Sequence, residues 1–265
     1  MSTVHDSVTF VGGGNMGAAI VAGLLRAGWS PEAITIVERS AERRAVLVDI
    51  YPGARVTDVL EGCSAGVIAV KPQDAAETCA ALAVAGATRV LSIAAGIGLS
   101  TLQEAAGPTC HVVRAMPNTP ALVGEGVAGI TGSSLCDASD MAWAESILGA
   151  VGTVVRVEEA LLDAVTAVSG SGPAYLFLFA EALVAAGIEQ GLSPEVADAL
   201  VRQLLVGSGR LLQQSSFTPA ELRAQVTSPN GVTAQAIATL EDSDFRALVA
   251  ATVRSAVARS RELGR

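Results

Sequence analysis

The chain has 265 residues, 51% of them apolar, with a formal net charge of −9 and a mean hydropathy of +0.49. That length suits one large domain or two moderate ones with a well-buried core. The negative charge, spread without long acidic blocks, disfavours nucleic acid or an anionic membrane surface as a partner, and any anionic ligand must be held by local groups.

The longest apolar stretch, 174 to 188, is interrupted by Glu181 and is too short to span a bilayer, so it reads as a buried helix. The opening residues MSTVHDS lack the basic start and apolar run of a signal peptide, which makes the cytoplasm the expected location. Cys63, Cys79, Cys110 and Cys136 are scattered and form no CxxC pair, so they read as core residues, with no metal cluster or disulfide framework. His5 and His111 are the only histidines and Lys71 the only lysine, which leaves little for a His-based triad or a His-rich metal site.

In chain order, apolar runs at 8 to 12, 34 to 38, 66 to 70, 89 to 93 and 111 to 115 alternate with Ala-rich helical segments. This β/α alternation implies a parallel sheet covered on both faces. Residues 126 to 131 and 153 to 157 add two strands, with a helix near 137 to 148 between them. From 159 onward the spacing predicts helices only: 159 to 168, 173 to 190, 194 to 214, 218 to 226, 232 to 240 and 243 to 262. Pro194 and Pro219, each following Ser or Thr, mark two of the starts. The expected division is thus a first domain, 1 to 158, and a helical domain, 159 to 265. The helix from Pro173 is apolar nearly all round, more than one small domain can cover, so a partner chain is expected against it.

Gly12, Gly14 and Gly17 stand in G-x-G-x-x-G spacing directly after the first strand and before a helix whose opening residues include Asn15 and Met16. Gly12 suits a tight turn, Gly14 a close approach to pyrophosphate, and Gly17 close packing of helix on strand. Glu38, at the end of the second strand, suits the adenosine ribose hydroxyls and so NAD(H), whereas Arg39 and Ser40 suit the 2′-phosphate of NADP(H). Ala69, Val70, Lys71 and Pro72, and then Ala94 and Ala95, follow later strands at the edge where open α/β sheets take ligands. Their small residues would let the backbone approach a nicotinamide, with Lys71 at a ribose or phosphate.

The segments VGGGNMG, AVKP, RAMPNTPALVGEG, AVSGSGPAY and VTSPNGVT follow in this order. With them the chain resembles the pyrroline-5-carboxylate reductase family over nearly its whole length. The resemblance implies an α/β Rossmann N-terminal domain and an all-α C-terminal dimerisation domain interlocked with a second copy, in dimers that often assemble into larger rings. It implies reduction of a small cyclic imino acid by NADPH or NADH. It also implies that Asn118 of the MPNTP loop lies over the nicotinamide and that Ser228, Gly231, Val232 and Thr233 line the carboxylate pocket, with Thr233 hydrogen-bonding the imine nitrogen. Helix physics points the same way, because an open helix N-terminus holds an anion without a basic side chain. A capping role for Ser228 or Thr233 is the alternative.

Asn230 and Val232 depart from the family's usual SPGGTT or SPGGAT, and Gln225 and Ser216 differ from some members. Asn tolerates the left-handed backbone such a turn needs. Val232 would alter the pocket's volume, which leaves open a methylated or six-membered relative of pyrroline-5-carboxylate as substrate. A β-hydroxyacid dehydrogenase would need a lysine in the helical domain, which this chain lacks. A non-catalytic dinucleotide-binding module is the remaining alternative.

Overall fold

The computed structural model describes residues 7–264; the N-terminal segment with His5 lies outside the described residues. Eight strands make one sheet in the order β3-β2-β1-β4-β5-β6-β7-β8. They are β1 Val8–Val11, β2 Ile34–Val37, β3 Arg55–Thr57, β4 Ala65–Ile68, β5 Arg89–Ser92, β6 His111–Met116, β7 Gly126–Gly132 and β8 Gly152–Arg156. β1 to β6 run parallel, β7 pairs antiparallel with β6, and β8 runs parallel to β7. The central strands are buried along nearly their whole length, as their unbroken apolar runs require when helices cover both faces. The strand order reverses between β1 and β4, and there the two turns that follow them open side by side.

Five helices cover the sheet: α1 Asn15–Arg26, α2 Ala41–Ile50, α3 Ala75–Val84, α4 Leu99–Ala106 and α5 Ala138–Leu148. Ile20 and Leu24 of α1, Leu47 of α2 and Trp143 and Ile147 of α5 join one core cluster, whereas Cys79 and Leu82 of α3 and Leu102 of α4 build the other. Ser40 caps α2 by accepting the Arg43 N–H, and Asp137 with Asp140 forms a capping box on α5.

β3 was not expected from sequence. It is a three-residue edge strand, partly exposed, so it carries no apolar run to announce it. The helix expected over 159 to 168 is instead a short 3₁₀ turn, Glu159–Leu161, then α6 Leu162–Val165 and a π-helical turn, Thr166–Gly170. After it come α7 Gly172–Glu189, α8 Pro194–Gln214, α9 Pro219–Gln225, α10 Val232–Asp242 and α11 Phe245–Leu263. The starts at Pro194 and Pro219 are capped by Ser193 and Thr218, as Pro at the first helical position after a hydroxyl residue demands.

The chain divides into two compact units, Met1–Ser171 with Ala256–Arg265, and Gly172–Ser255. A division at 158 separates strands from helices, whereas packing carries the first unit on to Ser171 and returns the end of α11 to it. There Ser260 donates to Asp163 at 2.6 Å. In the second unit α7 packs on α8, and the only fully buried side chains among its described residues are Ala197 and Val201. The helical run Glu159–Glu189 continues past both ends of the apolar stretch read from sequence. At 31 residues it is long and apolar enough, by length and composition, to cross a membrane.

The four cysteines are free thiols, with Cys79 and Cys110 fully buried. Burial, reinforced by nearby Cys110, pushes the Cys79 thiol up to about 12, and burial pushes Cys110 up to about 11. Both stay protonated at neutral pH, and the thiolate is the reactive form. Neutral thiol reagents should therefore label Cys79 and Cys110 only after denaturant is added; rapid labelling of either in the native chain, read by peptide mass, would contradict their core placement.

Candidate active site

The turn after β1 is held by crowding. Gly12 has φ +105°, and a Cβ there would lie 2.4 Å from the Ala69 carbonyl oxygen, while a Cβ on Gly17 would lie 2.5 Å from the carbonyl oxygen of Gly12. Only glycine lets the β1 turn, the residue after β4 and the first turn of α1 approach this closely. A Cβ on Gly14, by contrast, meets nothing within 4 Å. Gly14 is the N-cap of α1 and provides no capping side chain, so the first N–H groups of the helix, those of Asn15, Met16 and Gly17, stay open in front of that space. A pyrophosphate fits there, against amides and the positive end of the helix dipole.

Beside this turn lies a cavity of about 550 Å³. Of the residues singled out from sequence, Gly12, Gly14, Glu38, Arg39, Ala69, Val70 and Lys71 line it, whereas Asn15, Met16, Gly17, Ser40, Pro72, Ala94 and Ala95 do not. Ala94 is buried, and its N–H donates to the Ser92 hydroxyl at 3.4 Å. Sequence reasoning missed Asp58, Asp74, Glu77 and Thr78 on the cavity wall. Asp58 follows the unanticipated β3, and the other three lie on the turn and helix that follow Lys71 and Pro72.

Glu38 braces two turns at once. Gly13 N–H donates to its Oε2 and Ser40 N–H to its Oε1, each at 2.9 Å. The Arg39 guanidinium pairs with Asp74 at 2.9 Å, and that of Arg44 donates to the carbonyl oxygens of Glu38 and Arg39 and pairs with Asp58 at 3.1 Å. Arg43 Nε donates to the Gly13 carbonyl at 2.7 Å.

Asn118 is not a free polar contact. Its side chain is only 7% exposed, with Oδ1 accepting the Val127 N–H at 2.9 Å and Nδ2 donating to the Ser169 carbonyl at 3.1 Å. It fastens the 3₁₀ turn Thr119–Val123 to β7 and to the π-helical turn. The glycine packed closely in SGSGP is Gly170, where a Cβ would lie 2.8 Å from Met116 Cε; Gly172 meets nothing within 4 Å. Glu159 is a further positioning group that the sequence did not reveal. Its Oε1 accepts the Leu99 N–H at 2.6 Å and Arg114 Nη1 at 3.1 Å, joining α4 and β6.

In the second unit, the chain before α10 turns through Asn230, whose φ of +57° is left-handed, as expected for Asn in place of glycine. The Gly231 N–H is already bonded to the Ser228 carbonyl at 3.0 Å, so Gly231 cannot offer that N–H to a substrate. What Gly231 contributes is its missing side chain, since a Cβ there would lie only 2.4 Å from Ser228 Oγ. Gly231 is the N-cap and no side chain caps α10, so neither Ser228 nor Thr233 has the capping role that was the alternative. The helix opens with free N–H groups at Val232 and Thr233, with the Val232 side chain 91% exposed.

These contrasts separate folding from binding. Gly14→Ala should keep the thermal midpoint within about 2 °C, because nothing crowds that position, yet weaken dinucleotide binding about tenfold or more by calorimetry. Gly12→Ala should lower both. Equal affinity for Gly14→Ala and the unmodified chain would remove the pyrophosphate from this turn.

Comparison with known proteins agrees with this geometry. Residues 159–263 match the family model described as pyrroline-5-carboxylate reductase dimerisation, and residues 7–96 match that of the coenzyme F420-dependent NADP oxidoreductases. The chain is 40% identical to a pyrroline-5-carboxylate reductase of Synechocystis sp., over 96% of this chain and 97% of that one, and 40% identical to that of Pseudomonas aeruginosa, over 97% and 96%. Among solved structures, the pyrroline-5-carboxylate reductase of Coxiella burnetii superposes with a TM-score of 0.93 at 35% identity, covering 98% of this chain and 99% of that one. The Plasmodium falciparum pyrroline carboxylate reductase, solved with NADP bound, superposes with a TM-score of 0.83 at 28% identity over the full length of both. A glycine cradle at a sheet switch point, an uncapped late helix and full-length identity of this degree place the chain in the pyrroline-5-carboxylate reductase family.

Proposed function

We propose that the chain reduces 1-pyrroline-5-carboxylate to L-proline, with residues 1 to 158 holding NADH or NADPH and residues 159 to 265 holding the substrate and a second copy of the chain. The observation that carries this reading is the opening of α10. A fixed turn delivers free amides and two uncapped hydroxyls, and no basic side chain is needed to hold a carboxylate there.

When bound, the dinucleotide supplies a hydride to the carbon of the C=N bond. The chain's task is to hold, orient and protonate. The open amides of α10 and the Ser228 hydroxyl take the carboxylate. Thr233 Oγ1 hydrogen-bonds the imine nitrogen, fixing the ring and relaying the proton that the nitrogen keeps in the product. A cyclic imine protonated in water is already electrophilic, so positioning supplies much of the rate and a chain with a single lysine suffices. The four free thiols suit a reducing compartment, the cytoplasm.

Support for a homodimer comes from the second unit. Leu176, Phe177 and Leu178 are more than half exposed in the single chain, Phe177 at 67%, in the region that matches a dimerisation family. A face this apolar calls for cover, and a second copy provides it by symmetry. Phe177→Asp should shift sedimentation from dimer toward monomer; a monomeric unmodified chain would rule out pairing.

For the reaction, consumption of NADH or NADPH is followed at 340 nm with pyrroline and piperideine carboxylates. Pyrroline-5-carboxylate should be the faster, and far slower turnover than its six-membered relative would reassign the substrate. Thr233→Ala should lower kcat about tenfold or more while dinucleotide affinity stays the same. An unchanged kcat would remove Thr233 from the chemistry.

A further inference from the structure

Glu38 and the two residues after it give opposite instructions for the adenosine ribose, and the bonds around them decide which prevails. We propose that this chain discriminates against the 2′-phosphate and takes NADH as its reductant, with Glu38 as the specificity-determining residue. This rests on the reductase reading given above, and it names which of the two dinucleotides serves that site.

A 2′-phosphate at the end of β2 would need free donors and uncommitted cations. The two backbone donors of these turns already hold an anion. Ser40 N–H and Gly13 N–H, from the turns after β2 and β1, both point at the Glu38 carboxylate at 2.9 Å. That carboxylate is fixed by backbone on two sides. Its oxygens keep lone pairs for the ribose hydroxyls, and a 2′-phosphate removes the 2′ donor while the 3′-hydroxyl remains.

Two of the neighbouring guanidiniums are committed as well. Arg43 is bonded to the Gly13 carbonyl, and Arg44 to two carbonyls and Asp58. Arg39 is held by Asp74, an exposed pair that Arg39 can leave at little cost. Leaving does not help a phosphate much, because the cavity wall carries four carboxylates, Glu38, Asp58, Asp74 and Glu77, against two cations, Arg39 and Lys71. Two further negative charges brought into that wall meet repulsion that the smaller ligand avoids.

The test is calorimetric titration of the full chain with NADH and with NADPH, without imine, repeated on Glu38→Gln. The unmodified chain should bind NADH about tenfold more tightly or better, and Glu38→Gln should narrow the ratio of the two dissociation constants about fivefold or more. Glutamine can loosen both turns and weaken both dinucleotides, so the ratio is the quantity read. Should Glu38→Gln fail to fold, the ratio for the unmodified chain decides alone. NADPH bound as tightly as NADH or more so, or a ratio that Glu38→Gln leaves unchanged, would overturn the proposal. Binding of neither dinucleotide would overturn both this inference and the reductase reading. A clear NADH preference without turnover of any imine would overturn the reductase reading alone, whereas imine turnover with a reversed ratio would overturn this inference alone.

Discussion

The closest backbone approach at the cofactor end, Gly12 against the Ala69 carbonyl, governs the rest of that site. β1 and β4 are neighbours at the point where the strand order reverses, and their following turns must diverge to opposite faces of the sheet. With no Cβ at Gly12 or Gly17, the turn stays tight and α1 starts directly beneath it, so its first amides face the open space at Gly14. A single methyl at Gly12 would push the turn off Ala69 and tilt the helix whose N-terminus makes the cradle. The cavity beside it, with Ala69 and Val70 in its wall, inherits its shape from that contact.

A protein of net charge −9 that handles a dinucleotide and a carboxylate cannot rely on a general positive field. Here the positive partners are backbone amides. α1 and α10 begin without a capping side chain, as do α3, α4 and α6, while α2, α5, α8 and α9 are capped by Ser, Asp, Ser and Thr. A cap stabilises a helix by roughly 1 kcal/mol, so a bare N-terminus has a cost that a bound anion can offset.

The strands of the sheet were legible because full burial on both faces writes unbroken apolar runs such as VTFV and ITIV. β3 was not, since an edge strand of three residues, Arg55, Val56 and Thr57, needs no such run, and missing it concealed Asp58. The glycine cradle was legible because steric need picks one residue type. Asn118 is less legible, because an amide serves ligand or loop equally well; in the structure its side chain bonds Val127 and Ser169. The same holds for Gly231, whose N–H is taken by the Ser228 carbonyl. Residue type announces a steric requirement; it does not announce which of several hydrogen bonds is made.

The helical unit raises a separate physical question. Among its described residues only Ala197 and Val201 are fully buried, while Phe177, Leu178, Leu200 and Leu248 are more than half exposed. Burying one such side chain contributes about 1.5 to 3 kcal/mol, and ordering one residue costs about as much, so a unit that buries so little in one chain has no surplus of its own. α10, whose open amides are the proposed carboxylate site, belongs to this unit. Under the proposed pairing of two copies, the helix that grips the substrate acquires its stability from the same apolar surface that joins the chains. Substrate affinity and assembly are then linked, and whatever favours the dimer also favours an ordered α10 entrance.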